Sequence, residues 1–250
     1  MICFGDYLKD YLEARDISQS EFATRMGVTQ KHMNEILNGK TGITIEMAGN
    51  IERLTGISSS FIIAIENRRK IEENLLQKYG SKEELSKKIK KQYCVNELKK
   101  KEWLRFKDET NIIQTCIDLL DFMRIKDFNV IPELENKTLF KKTGEDFAKL
   151  TLWIAHCDRI TENQEVDEYT SSNFNKLIEE IKEYAYMADN YDPAEIQKIL
   201  NKYGIYFCEE KALAGTKVRG CFKLRGKKPT IYTTKNYQAK DSFFFELFHE

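Results

Sequence analysis

The first 70 residues contain a closely spaced series of signals that start and stop helices. Ser18 begins an S-x-x-E sequence, in which the Ser18 hydroxyl can accept from a first-turn N–H while Glu21 reaches back. Gly27 can end that helix in the left-handed backbone conformation. Thr29 and Thr44 can cap two of the helices that follow. The spacing of these signals predicts five short helices in under 70 residues.

Small and apolar residues between these signals fit a helix-turn-helix. Ala23 is small where the second helix of the motif would pack against it, and Gly27 allows the chain to reverse tightly. Met33 and Ile36 can fill the core between the helices. A generic small helical bundle is the alternative, but it does not require these four features together.

The same stretch resembles a known family of DNA-binding domains. The sequence NEILNGKTGIT (34–44), followed by a helix with Glu and Ala and by a Leu-Thr-Gly-Ile turn, is similar to the Cro/C1-type domain of HigA-like antitoxins in the XRE family. The resemblance covers essentially all of residues 1–70. It implies a five-helix, lambda-repressor-like fold that is commonly used as a dimer on a palindromic operator.

The recognition helix of such a motif would begin near residue 29, with its N-terminal residues facing the major groove. Gln and Asn can pair with adenine and Lys can reach guanine O6 and N7, so we expect base contacts from four residues: Thr29, Gln30, Lys31 and Asn34. We expect phosphate contacts from the preceding helix and the following loop: Gln19, Asn38, Lys40 and Thr44.

The formal net charge of zero hides an uneven distribution. Residues 1–70 carry nine basic and nine acidic residues, whereas residues 82–107 carry ten basic and four acidic ones. Residues 111–200 carry ten basic and eighteen acidic residues, and residues 201–250 carry ten and five. Two interpretations stay open: solvated faces, or a basic face that follows phosphates beside an acidic face with another role. Dimerisation or the 82–107 stretch would have to add affinity that the neutral first segment lacks.

The middle of the chain is predicted to be a helical linker or middle domain over 71–195. Helical periodicity recurs in four stretches: 109–128, 144–160, 174–187 and 193–203. A loop is predicted over 129–142. His156, Cys157 and Asp158 are adjacent on one helix and cannot all point to one centre, so we expect neither a metal nor a nucleophile site there.

The pattern changes from about residue 196. Three short strands are predicted over 204–208, 218–224 and 230–233, followed by a helix over 242–250. This order resembles the start of an ImmA/IrrE-type zinc peptidase domain, whose closing helix carries H-E-x-x-H. In that family two His residues bind Zn²⁺ and the Glu acts as general base. The resemblance makes His249 a metal ligand and Glu250 the catalytic base.

The printed sequence stops within that motif. The second His would come three positions after Glu250, so we expect no zinc and no peptidase activity from the chain as given, and both from a longer native chain. The end is either that of a fragment of a longer fusion or that of a naturally shortened protein. An end within this helix is expected to expose apolar side chains such as Phe243, Phe244 and Leu247.

Together these features predict a mainly α protein. Its parts are an N-terminal helix-turn-helix domain (1–70), a helical middle region (71–195) and a small C-terminal α+β part (196–250) with three strands and a helix. No apolar run reaches the roughly 18–20 residues of a membrane span, and we find no signal peptide and no C-x-x-C pair. A cytoplasmic protein with reduced thiols is therefore expected.

The predicted function is sequence-specific DNA binding by a transcriptional regulator of the antitoxin or phage-repressor type. Its expected partners are a double-stranded operator, a second copy of the chain, and a toxin or repressor protein, without a membrane or a cofactor. One alternative is the N-terminal part of a zinc metalloendopeptidase that cleaves a repressor or antitoxin partner. Another is an interaction protein that neutralises a toxin through its helical middle region.

Overall fold

The computed structural model describes residues 3–130, 147–235 and 239–250. The chain forms two compact units, Met1–Leu85 and Ser86–Glu250. Most of the loop predicted over 129–142 and the start of the helix predicted over 144–160 lie outside the described residues. The division into segments 1–70, 71–195 and 196–250 stays a prediction.

The first unit is helical, and the five helices predicted from the start and stop signals are present, but the fifth is not short: it has 21 residues and ends at Tyr79. The helices are α1 (Phe4–Glu13), α2 (Gln19–Met26), α3 (Gln30–Leu37), α4 (Ile45–Thr55) and α5 (Ser59–Tyr79). A sixth helix, α6 (Lys82–Gln92), begins in this unit.

Local signals end the helices largely as predicted. Gly27 follows α2 with a φ of 67°, in the left-handed region, where its lack of a Cβ removes the strain. Ser18 Oγ accepts from the backbone N–H of Glu21 at 3.1 Å. The Glu21 carboxylate does not reach back, because it accepts from Arg25 one turn later at 2.5 Å. Only half of the predicted capping box therefore forms.

The core of the first unit lies where the apolar sides of α1 to α5 meet. Its fully buried members include Phe4, Leu8, Phe22, Met33, Ile36, Leu37, Ala48, Ile51 and Ile62. Gly5 lies against the C-terminal end of α3, where an added Cβ would be 2.3 Å from the carbonyl oxygen of Leu37. The backbones of α1 and α3 therefore approach more closely than any other residue at position 5 would allow.

The second unit combines helices with a small sheet. Its helices are the remainder of α6, α7 (Val95–Lys100), α8 (Ile112–Met123), α9 (Phe147–Ile160), α10 (Phe174–Met187), α11 (Pro193–Lys202) and α12 (Lys240–His249). Its strands are β1 (Tyr206–Glu209), β2 (Gly220–Arg225) and β3 (Lys228–Thr233). The predicted fold class is confirmed: a mainly α chain with a small C-terminal sheet of three strands and a helix.

The sheet has the order β1–β3–β2, with β1 parallel and β2 antiparallel to β3. Side chains alternate between its faces. Phe207 and Ile231 join a core with α10, α11 and α12. Cys208 and Tyr232 join a second core with Trp153 of α9. Helices therefore cover both faces of the sheet, which explains why its central strand is almost wholly buried.

One expectation about α12 was wrong. Phe243, Phe244 and Leu247 are buried, with 3%, 7% and 5% of their surface exposed. The exposed apolar residues of this helix are Phe245 and Phe248. The apolar residues of α12 lie on two sides of the helix. Phe243, Phe244 and Leu247 lie on the side that packs against the sheet.

Candidate nucleic-acid interface

The recognition helix α3 has one side fixed in the core and one side open. Met33, Ile36 and Leu37 are at most 2% exposed and hold α3 against the other helices of the first unit. The four residues predicted to contact bases are all exposed: Thr29, Gln30, Lys31 and Asn34. A rigid helix with free polar side chains at its N-terminal end is the arrangement needed to read a major groove.

These four residues differ in whether their side chains already form hydrogen bonds within the protein. Thr29 Oγ1 accepts from the backbone N–H of His32 at 3.1 Å, so it caps α3. The side chains of Gln30 and Lys31 have no hydrogen-bond or ionic partner within the described part of the chain. His32 is half-buried, with Nδ1 3.8 Å from the carboxylate of Glu35.

Asn34 belongs to a short chain of hydrogen bonds. Asn38 Nδ2 donates to Asn34 Oδ1 at 2.7 Å and to the Asn34 carbonyl at 2.8 Å. Lys9 Nζ donates to Asn38 Oδ1 at 3.2 Å. Lys9, in α1, is a member of this surface that sequence reasoning missed, because 29 residues separate it from Asn38 and no local pattern joins them.

The remaining residues predicted to contact phosphate are also exposed. Gln19 is the first residue of α2, and its side chain has no partner among the described residues. Lys40 lies in the loop before α4, and Thr44 Oγ1 caps α4 by accepting from the N–H of Met47 at 3.2 Å. Helix N-termini such as these favour phosphate oxygens. The roles of all eight residues toward DNA stay predictions.

A buried ion pair ties the loop between α3 and α4 to α5. Glu66 Oε2 accepts from the backbone N–H of Ile43 at 3.4 Å and from Arg69 Nη2 at 3.1 Å. Arg69 also bonds Glu73. Glu66 and Arg69 are only 4% and 9% exposed. The i, i+3 spacing of this pair was visible in the sequence, but its burial under the loop was not.

The two residues singled out at the end of α12 face different surroundings. His249 is exposed, whereas Glu250 is half-buried beside Gly220 of β2. A Cβ on Gly220 would be 2.7 Å from Glu250 Oε1, so this carboxyl group lies close against the Gly220 backbone. Burial, and then the neighbouring Glu246 carboxylate, raises the pKa of Glu250 to about 7.

The zinc ion implied by the ImmA/IrrE resemblance does not fit the residues that the structure describes. Across residues 3–130, 147–235 and 239–250, no group of three or more His, Cys, Asp or Glu side chains could hold a metal ion. His156, Cys157 and Asp158 diverge: His156 stacks on Trp103 at 4.1 Å, Cys157 is fully buried, and Asp158 accepts from Tyr232 at 2.6 Å.

Comparison with protein families supports the reading of the first unit. Residues 8–62 match a family model described as helix-turn-helix. The chain contains an XRE-type helix-turn-helix domain. The match includes every residue predicted to contact DNA, and it supports the coarser part of the predicted function, a DNA-binding transcriptional regulator.

The rest of the chain has no such support. The match covers 55 of the 250 residues, and the comparisons lend nothing to the ImmA/IrrE resemblance of the C-terminal segment. No curated protein matches the chain. Among the described residues, no helix is both long and apolar enough to cross a membrane.

Proposed function

We propose that this helix-turn-helix protein is a sequence-specific regulator of the antitoxin or phage-repressor type that reads its operator with the N-terminal end of α3. The observation that carries the proposal is the pair of free, exposed side chains of Gln30 and Lys31 on a helix fixed by its opposite side. Gln suits adenine and Lys suits guanine. Gln19 and Lys40 would bind the flanking phosphates and set the register.

A homodimer on a two-fold symmetric operator is the assembly that we propose. At 1.5 Å per residue the eight residues of α3 span about 12 Å, enough for one half-site. Residues 8–62 carry six Lys or Arg and seven Asp or Glu, so a single copy gains little from phosphate neutralisation. Light scattering on the chain alone and bound to DNA measures the stoichiometry, and a single copy per operator would contradict the dimer.

The test of sequence-specific binding starts from random DNA, because the operator is unknown. The full chain is used to select duplexes from a random library, and the enriched sequences are then titrated by fluorescence anisotropy. We expect one motif with half-sites about one helical turn apart, bound about 10³-fold or more tightly than bulk DNA. A selection that enriches no motif would contradict the proposal.

Substitutions in α3 test which of its residues contact bases. We expect Lys31→Ala and Asn34→Ala each to cost about 1–3 kcal/mol of binding and to relax preference at one base position. Asn67→Ala is the matched control, because Asn67 is exposed on α5 and has no partner among the described residues. A uniform loss across all DNA sequences in Asn34→Ala would assign Asn34 to the phosphate backbone instead.

The two regulator types differ in one testable respect, which is a protein partner. An antitoxin would be isolated from its native source in a stoichiometric complex with a small toxin, and the complex would bind the operator. A phage-type repressor would be isolated without such a partner. Mass spectrometry of the native complex separates the two.

A second candidate function is that of the N-terminal part of a zinc metallopeptidase. Its support is the order of a parallel strand, a hairpin and α12, together with the half-buried Glu250 whose pKa lies near 7. In that role His249 would be one ligand of the metal, and the other ligands would have to come from outside the described residues. A native mass above 29.4 kDa with stoichiometric zinc would support this candidate, and a zinc-free native protein of 29.4 kDa would contradict it.

A further inference from the structure

The C-terminal half of α6 presents three exposed lysines that the described part of the fold does not use. Residues 85–96 contain four lysines and no Asp or Glu. Lys87, Lys90 and Lys91 are exposed, and none of them has a carboxylate partner within the described part of the chain. Elsewhere on this helix Lys82 is neutralised by Glu72 at 2.7 Å, so the three lysines differ from their own neighbour.

The orientation of these lysines is fixed by the opposite side of α6. Leu85 and Ile89 are 0% and 1% exposed. With 100° between successive residues, Lys87, Lys90 and Lys91 lie roughly 140° to 240° around the helix from Leu85. The helix therefore points its lysines away from its buried side, and it cannot rotate to hide them.

Holding these charges together costs free energy in the protein alone. Lys87 is three and four residues from Lys90 and Lys91, the two spacings at which like charges on a helix repel. The helix dipole rewards Lys90 and Lys91 in the last turn, but it does not reward Lys87 in the middle of α6. The repulsion is relieved when an external polyanion replaces the missing carboxylates.

We propose that Lys87, Lys90 and Lys91 bind the phosphate backbone of DNA next to the operator half-site. This inference rests on the proposed DNA-binding function. The helix-turn-helix domain at 8–62 carries one more acidic than basic residue, so its net charge adds little to phosphate affinity. Only Gly80 and Ser81 separate α5 from α6, so covalent linkage raises the effective concentration of α6 at any DNA that the domain binds.

Among polyanions, DNA fits this helix better than an anionic membrane. A helix that lies on a membrane inserts its apolar side into the lipid. The apolar side of α6 is already buried within the protein, and only its charged side is available. Lysines alone, without exposed apolar neighbours, give contacts to phosphate that do not depend on sequence.

The test is the salt dependence of operator binding by the full chain. The triple variant Lys87→Gln, Lys90→Gln, Lys91→Gln is compared with the natural chain on the selected operator, from about 50 to 300 mM KCl. We expect the slope of log K against log salt to become shallower by about 2 to 3 for each protomer, and so by about 5 for the proposed dimer, since each lost phosphate contact removes about 0.9. At 100 mM salt we expect affinity to fall about 10- to 100-fold, with the preference for operator over mutated operator unchanged.

Two further variants exclude simpler explanations. Lys176→Gln, Lys211→Gln, Lys227→Gln removes the same charge from three other exposed lysines, and we expect its slope to match that of the natural chain. Replacing Lys87, Lys90 and Lys91 by Arg keeps the charge and should keep the slope. If both Gln triples change the slope equally, the effect is one of net charge and the inference is wrong.

The outcomes also separate this inference from the proposed function. If the natural chain prefers no DNA sequence, the proposed function fails. If it prefers its operator but the α6 variant has the same slope and affinity, only the role of α6 fails. Sedimentation with vesicles containing 30% phosphatidylserine tests the membrane alternative, and loss of vesicle binding in the α6 variant with an unchanged DNA slope would overturn the inference in favour of lipid.

Discussion

Polar side chains around α3 in the first unit and around Asp158 in the second unit are used in different ways. In the first unit the exposed Gln19, Gln30, Lys31 and Lys40 have no partner among the described residues. In the second unit Asp158 alone accepts from Lys223, Tyr232 and Arg225, the last two at 2.6 and 3.3 Å. Tyr191 of the same unit donates to the buried Glu209 at 2.8 Å.

This difference separates the surface proposed to bind DNA from groups that stabilise the fold. A free donor or acceptor on a rigid helix gains energy only when a ligand arrives, whereas one bonded within the fold stabilises the protein at all times. The first unit does contain one group of the second kind, the Glu66–Arg69 pair, and it lies directly under the loop of the proposed interface. Substitutions in these two groups of side chains should therefore separate binding from stability.

The largest expected effect breaks the first unit by overfilling its core. In Gly5→Ala the new methyl group would meet the Leu37 carbonyl at 2.3 Å, and the backbone cannot move aside cheaply. We expect the free energy of unfolding of this unit to fall by about 3 kcal/mol or more, with operator binding lost. Gly49→Ala is the control, because a Cβ at Gly49 meets nothing within 4 Å, and Ala should stabilise α4 by about 0.5–1 kcal/mol. Urea denaturation measures both, and equal effects would disprove the close packing of α1 on α3.

The next largest effect distinguishes the buried partner of Arg69 in the first unit, Glu66, from its exposed partner, Glu73. Glu66→Ala removes the acceptor of the Ile43 N–H and leaves the buried Arg69 with only Glu73, so we expect a loss of about 3 kcal/mol in stability. Glu73→Ala removes a partner that is 43% exposed and should cost less than about 1 kcal/mol. Denaturant titration of the two variants checks this order, and a reversed order would mean that the exposed pair holds the loop.

In the second unit the matching experiment removes a charge that the fold uses. Asp158→Asn turns one carboxylate oxygen into a donor that faces Lys223 and Arg225, and we expect it to cost about 2 kcal/mol of stability. Asp121→Asn, at an exposed position of α8, should change stability by less than about 0.5 kcal/mol. Operator affinity should be the same in both variants, and a tenfold loss in either would show that the second unit takes part in base recognition.

The smallest effect is a pH dependence confined to the second unit. Burial of the ring, followed by the charges of Lys101 and Arg159, lowers the pKa of His156 to about 4. The unfolded chain takes up this proton near pH 6.5, so the stability contribution is complete above pH 6.5 and is lost as pH falls toward 4. We expect about 1–2 kcal/mol less stability at pH 4.5 than at pH 7, and His156→Gln should remove that part. An NMR titration that places the pKa of His156 at 6 or above would contradict this prediction.

Sequence reasoning succeeded where the determining contacts are short in range. Ser18 and Gly27 act on backbone groups within a few residues of themselves, so their patterns revealed the helices of the first unit. The three strands were visible for the same reason, because alternation and a Gly-containing turn are local features.

What could not be predicted depends on contacts between distant segments. The close approach at Gly5 pairs residues 32 positions apart, and the sequence shows only a glycine in a helix. The parallel pairing of β1 with β3 depends on which strand lies in the middle of the sheet. The prediction that Phe243, Phe244 and Leu247 are exposed was wrong. The sequence indicated three separate strands but not the sheet that they form, and this sheet buries the three side chains.

The hydrogen bond from Asn38 to Asn34 has a consequence for recognition beyond the contact itself. An exposed asparagine normally samples several side-chain orientations. A ligand that requires one of them binds more weakly, because binding removes this side-chain conformational entropy. Here Asn38, itself held by Lys9 from α1, selects one orientation of the Asn34 amide before DNA arrives. Asn34 Oδ1 keeps a second lone pair and Nδ2 keeps its protons. The entropy of ordering Asn34 is thus lost during folding, so the proposed contact of Asn34 with a base does not have to supply it.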